Sequence, residues 1–223
     1  MIKVASSRGF LSSWAVENLT LRTRLLFSTV VSWPMMAIYL YVVHHPRIPP
    51  VELIMPGWVP FWPAMAPLYI VMLLITWLLP VAIRTGRYFF GCALANLLAY
   101  AFVMPWWIIA PTTLARPTSG HGTWTRIYDL FVAFDPPNNI MPCAHGMGPI
   151  VAVWFLCRER RELVWPLTTF LVLALPSVAL VWQHRPIDIL MGTGAAIVAI
   201  VIAEYFVRYY ATTSANESIA VSN

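Results

Sequence analysis

Polar residues are sparse along most of this chain, and the apolar runs between them are long. A membrane span needs roughly 20 mostly apolar residues to cross a hydrocarbon core of about 30 Å. Six runs meet or approach that length: 25–43, 64–83, 88–110, 146–157 with its flanks, 163–182 and 187–207. The fourth is short; between His145 and Arg158 it has to begin inside the membrane or thin the bilayer locally. The pattern predicts an all-α protein with a six-helix transmembrane domain over 25–210. A cytoplasmic segment over 1–24 precedes it and a polar tail over 211–223 follows, the latter expected to be disordered. Lys3, Arg8, Arg22 and Arg24 precede the first run and no small-residue cleavage pattern follows it, so it reads as a mature helix and not a secretion signal. No internal repeat interrupts this order.

Two connecting segments stand out. Residues 46–63 are rich in proline and carry Trp58 and Trp62, which suits a rigid segment at headgroup level. Residues 111–141 form the longest loop, and long loops are where function tends to sit. Trp106, Trp107 and Trp182 fall near predicted span ends and read as interfacial anchors.

Composition supports the membrane assignment: 60% of residues are hydrophobic and 10% charged, against about a quarter charged in soluble domains. A sequence pI near 9.4 would suggest nucleic acid as a partner of a soluble protein. Here the cations serve topology instead. Lys3, Arg8, Arg22, Arg24, Arg84, Arg87, Arg158, Arg160, Arg161 and Arg208 fall on one side of the alternating spans, and only Arg47, Arg116, Arg126 and Arg185 on the other. The positive-inside rule then places both termini in the cytoplasm and the loops 44–63, 111–141 and 183–186 outside, with the bilayer as partner and no nucleic acid.

Ionisable groups at the edge of a membrane are costly and are functional candidates by default. Those on the outer side are Arg116, His121, Arg126, Asp129, Asp135, His145, His184, Arg185 and Asp188. His184 and Asp188 are four residues apart with Pro186 between them, so a helix starting here places the carboxylate within reach of the imidazole. A carboxylate on one ring nitrogen fixes the tautomer and leaves the other as nucleophile or base. His145 heads the fourth span and completes a nucleophile, orienter and general-acid set. The cysteines Cys92, Cys143 and Cys157 match no metal or disulfide spacing, and only Cys143 lies beside this polar chemistry. No carboxylate cluster stands ready for a metal, so neither metal nor other cofactor is expected. A haem between His145 and His184 would want both ligands buried within spans, whereas both lie at span ends.

Asp135-Pro-Pro-Asn-Asn-Ile-Met-Pro-Cys-Ala-His145 resembles the second motif of the type-2 phosphatidic-acid phosphatase superfamily. Ser177-Val-Ala-Leu-Val-Trp-Gln-His184-Arg-Pro-Ile-Asp188 resembles its third motif, and Arg116-Pro117 the end of its first. The likeness runs from about residue 88 to 207, and its lead into Met-Pro-x-x-His is nearest the branch of inositol phosphorylceramide synthase and sphingomyelin synthase. It implies a six-span bundle whose His184 attacks phosphorus and forms a phosphohistidine, with Asp188 orienting it and His145 protonating the leaving oxygen. It further implies that Arg116 holds phosphate oxygens and that Cys143 and Ala144 line the phosphate site. The implied partners are a phosphorylated lipid and a lipid or alcohol acceptor, or water. The chain departs from the family at three places: Ile109 stands where the first motif has lysine, Val178 where the third has arginine, and Cys143 where the second has serine. Arg185 is expected to supply part of the missing charge, or else to face lipid headgroups. Thr118-Ser-Gly-His121 matches the second motif by letter but heads no apolar run, so His121 reads as a loop histidine. An inactive relative that binds a lipid or a partner is the other class of reading.

Overall fold

A computed structural model describes residues 18–117, 122–135 and 137–222. Seven α-helices carry the described residues: α1 Leu21–His44, α2 Ala66–Ala82, α3 Gly86–Ile109, α4 Thr123–Phe134, α5 Ala144–Glu159, α6 Val164–Leu180 and α7 Pro186–Ser222. Thr20 caps α1 by accepting the Thr23 N–H at 3.2 Å, and 3₁₀ turns at Pro63–Met65 and Arg161–Leu163 lead into α2 and α6. The chain is therefore all-α in class. Five of its segments, Leu21–His44, Pro63–Ala82, Gly86–Ile109, Arg161–Leu180 and Pro186–Tyr209, are long and apolar enough to cross a membrane, which marks an integral membrane protein. Their large apolar side chains stay on the surface, as at Leu78, Val172, Leu190 and Val201, each more than 60% exposed.

The fourth predicted span takes a different form. At 16 residues α5 is about 24 Å long, shorter than the other five, and it is the central helix, packed on α2, α3, α6 and α7. Nine of its residues are buried, from Gly146 to Leu156. Lipid tails are as apolar as leucine, so association in a bilayer rests on close packing by small residues. Gly91, Ala95 and Ala99 of α3 supply them, with Ala196, Ala199 and Ala203 of α7 in the same core.

One end of the bundle gathers the basic residues. Arg24 donates to the carbonyls of Val81 and Ile83. Glu159 accepts the backbone N–H of Arg84 at 2.8 Å and of Thr85 at 3.2 Å, which joins the end of α5 to the start of α3. Glu204 pairs with Arg158 at 3.0 Å and Arg208 at 3.4 Å. The histidines lie at the opposite end.

Three expectations are corrected. Residues 111–141 are not one loop: they contain α4 and a strand β2 (Thr112–Leu114) that pairs in parallel with β1 (Val51–Leu53). The residues of 211–222 continue α7 as helix, where the sequence suggested a disordered tail. Trp107 is no interfacial anchor; it is 1% exposed and donates its indole N–H to the Pro142 carbonyl at 3.1 Å.

Candidate active site

Two chain segments meet at the histidine end, residues 135–145 and 177–188. Each is bent by a side-chain-bearing residue in the left-handed region, Asn139 at φ 59° and Trp182 at φ 51°. Such conformations cost on the order of 1–3 kcal/mol for a bulky residue and persist where the surroundings impose them. Here they aim the Ile140 carbonyl at His184. The Val178 carbonyl accepts the Gln183 and His184 N–H groups, the Asp188 carbonyl accepts the Cys143 N–H at 3.1 Å, and Thr112 Oγ1 accepts the Met141 N–H at 3.0 Å. At Gly192 a Cβ would lie 2.0 Å from the Cys143 carbonyl oxygen, so only glycine lets α7 approach this closely.

The imidazoles of His145 and His184 face each other, with His145 Nδ1 2.7 Å from His184 Nε2. The outer nitrogens each face an oxygen. His184 Nδ1 lies 2.5 Å from the Ile140 carbonyl oxygen, which can only accept, so Nδ1 carries the hydrogen. His145 Nε2 lies 3.6 Å from Asp135 Oδ2. Tyr39 of α1 donates to the other carboxylate oxygen at 2.9 Å, and the Tyr69 ring packs edge-on against His145 at 5.4 Å. Burial first, then the neighbouring His145 and more weakly Arg116, hold His184 well below the usual histidine range, against the pull of the Ile140 carbonyl.

This arrangement differs from the expected one at Asp188. Its carboxylate does not hold His184; it is fully buried and accepts from Arg185 through Nη2 at 2.7 Å, Nε at 3.0 Å and the backbone N–H at 2.9 Å. Arg185 is correspondingly spent on Asp188 and on the Met141 sulfur at 3.6 Å, where the sequence offered it as a cation for phosphate. Pro186 opens the helix as expected, but the three-residue turn back to Arg185 captures the carboxylate first.

Arg116 is at the site. It donates to the Asp135 carbonyl at 2.6 Å and to Gln183 Oε1 at 2.5 Å, and its Nε is buried without a partner. The Gln183 and Asn139 side-chain amides are also buried with unmatched donors. Orphaned buried donors are uncommon and ask for a ligand or solvent. Cys143 is buried beside the pair, directly ahead of α5, whose first residue is Ala144. Burial pushes its thiol up to about 12, against the opposing pull of the Gly146 and His145 backbone N–H groups. Cys143, His145 and His184 bring their ligand atoms within 4.8 Å of one another, a grouping their sequence spacing did not reveal.

Arg126 and Asp129 are exposed on α4, and Ile109 is exposed at the end of α3. His121 lies outside the described residues. Sequence reasoning missed Tyr39, Gln183 and Asn139 and gave Asp135 no role. Tyr39 and Asp135 are 96 residues apart and no local pattern joins them. Comparison with protein-family models, with curated proteins and with solved structures finds no match for this chain.

Proposed function

We propose that this protein is an integral membrane phosphotransferase or phosphatase that acts on a lipid-linked phosphate through a phosphohistidine. The observation that carries the reading is the facing pair of imidazoles with their outer nitrogens engaged, which leaves Nε2 of His184 and Nδ1 of His145 as the working atoms. With His184 Nδ1 protonated, its Nε2 holds a lone pair. A proton on His145 Nδ1 fills the 2.7 Å gap, and Asp135 carries the opposite charge when Nε2 is protonated as well. A phosphate ester entering between the rings meets a nucleophile on one side and an acid on the other.

In the first half-reaction His184 Nε2 forms the N–P bond in line, the P–O bond breaks, and the leaving oxygen takes the His145 Nδ1 proton. His145 is left neutral with its Nε2–H towards Asp135. In the second, water or an alcohol oxygen attacks phosphorus, its proton passes to His145 Nδ1 and the N–P bond breaks. Arg116 and the Gln183 and Asn139 amides are the donors available to phosphate oxygens, in place of the cations replaced by Ile109 and Val178. The positive-inside rule puts this end of six spans, with α5 as the short fourth, on the extracytoplasmic side and both termini in the cytoplasm.

The test is phosphate release and headgroup transfer by the purified protein in detergent on a panel of lipid phosphates. Wild-type protein turns over at least one member and traps phosphate on His184, and His184→Ala abolishes both. Full activity in His184→Ala overturns the proposal.

A further inference from the structure

We propose that Cys143, His145 and His184 also form a site for one zinc ion, which occupies the nucleophile's lone pair and so competes with the phosphoryl substrate. The regulatory half of this inference rests on the function proposed above; the metal site itself does not.

His184 Nδ1 must carry its hydrogen for the Ile140 carbonyl, and His145 Nε2 faces a carboxylate. When both rings are neutral with hydrogens on those outer atoms, two lone pairs point at each other across 2.7 Å. That contact is repulsive unless a cation lies between them. A proton satisfies it in the catalytic cycle, and a metal ion satisfies it equally well. Imidazoles that bind metal characteristically donate their other N–H to a carboxylate or a backbone carbonyl. Both outer partners are of that kind: Asp135 for His145 and Ile140 for His184.

The third donor comes from the residue that departs from the resemblance. Cys143 stands where the family has a hydroxyl, and its Sγ lies within 4.8 Å of a ring nitrogen of each histidine. Two imidazoles and one thiolate suit zinc, which takes nitrogen at about 2.0–2.1 Å and sulfur at about 2.3 Å in a tetrahedral set. Those bonds require the inner nitrogens to stand about 3.3 Å apart. The rings therefore part by roughly half an ångström, and that shift carries His145 Nε2 across its 3.6 Å gap toward hydrogen-bond distance from Asp135. Metal opens the inner contact and closes the outer one. Binding expels the thiol proton outright, because a coordinating thiol is deprotonated by the ion it holds. The Cys143 thiolate and the Asp135 carboxylate offset the two charges of Zn²⁺, and the Arg116 guanidinium beside them remains as a site for an anion. The fourth tetrahedral position remains for water.

The experiment loads full-length protein in detergent with Zn(II) and measures stoichiometry, X-ray absorption and affinity against a chromogenic chelator. The expected result is one equivalent bound with one sulfur and two imidazole nitrogens. Cys143→Ser weakens affinity at least tenfold, whereas Cys157→Ser, at a cysteine remote from the site, leaves it unchanged. Zinc inhibits wild-type transfer, excess substrate relieves the inhibition, and the inhibitory concentration rises at least tenfold in Cys143→Ser. No stoichiometric zinc in wild type, or a bound ion without sulfur, overturns the site. Zinc that binds with sulfur but activates transfer, or leaves it unaffected, overturns the competition. Zinc bound as expected in a protein that shows no transfer even with chelator upholds the metal site and overturns the phosphohistidine reading.

Discussion

Replacing either of two buried carboxylates, Asp188 or Asp135, by its amide removes one charge, and the geometry separates the consequences. Asp188 accepts three hydrogen bonds from Arg185, at 2.7, 2.9 and 3.0 Å. Breaking a buried ion pair from one side costs about 3–5 kcal/mol. The Arg185 side chain retains 18% exposure, so water recovers part of that cost, and asparagine keeps one acceptor. The remaining loss is about 2–3 kcal/mol, which lowers the melting temperature by about 4–12 °C for a chain of this size. His184 keeps its tautomer through Ile140, so kcat per folded molecule stays within about threefold of wild type. Asp135→Asn does the reverse: it removes the counter-charge of His145, the proposed general acid, and is expected to cost about 10²–10⁴ in transfer from an alkyl ester, with a smaller loss on an aryl ester whose oxygen leaves without help. Thermal unfolding in detergent, together with turnover normalised to folded protein, separates the two variants. A 10⁴-fold loss in Asp188→Asn at unchanged melting temperature would show that the carboxylate orients His184 after all, and would refute the assignment to Ile140.

Gly192→Ala drives a Cβ into the Cys143 carbonyl and is expected to destabilise by at least about 1–3 kcal/mol and to abolish turnover; Gly194→Ala, with nothing within 4 Å, is the neutral control in the same melting and turnover assays. Because His184 is held well below its usual range, the unfolded chain takes up a proton near pH 6.5 that the folded one refuses. Stability is thus fully present above that pH and is lost as pH falls through it, by up to about 1.4 kcal/mol per unit; melting curves from pH 8 to 5 show the loss, and His184→Gln lessens it. In a Cys157→Ser background, cysteine at position 126 reacts with an impermeant thiol reagent from outside intact cells and cysteine at 161 only after permeabilisation; the opposite pattern reverses the orientation.

The helices were legible because lipid demands long uninterrupted apolar runs, and five of the six predicted spans lie within a few residues of the observed ones. The fourth was legible as short, but not as central: in the bundle Gly148 admits the Thr76 side chain where a Cβ would clash, and no local pattern announces that approach. The two motif histidines were found because their spacing to the span ends placed both at one end. Their partners were not, for identifiable reasons. A backbone carbonyl leaves no mark on a sequence, and Ile140 orients His184 with one. Asp188 stands at helical spacing from His184, but Arg185 lies nearer along the turn and binds more strongly. The pairing of Val51–Leu53 with Thr112–Leu114 is three residues long, too short for alternation to announce it.

The length of α5 has a consequence for what can reach the site. Its C-terminal Glu159 is joined to the start of α3 at Arg84 and Thr85, so the two antiparallel helices share a floor. From that floor α3 rises through 24 residues and α5 through 16, a difference of about 12 Å at the other end. His145 and Cys143 therefore sit at the bottom of a step, below the level where α3 ends. On the phosphotransfer proposed above, a lipid headgroup would meet this step before it meets the histidines, and the depth of the step is set by eight missing residues of helix.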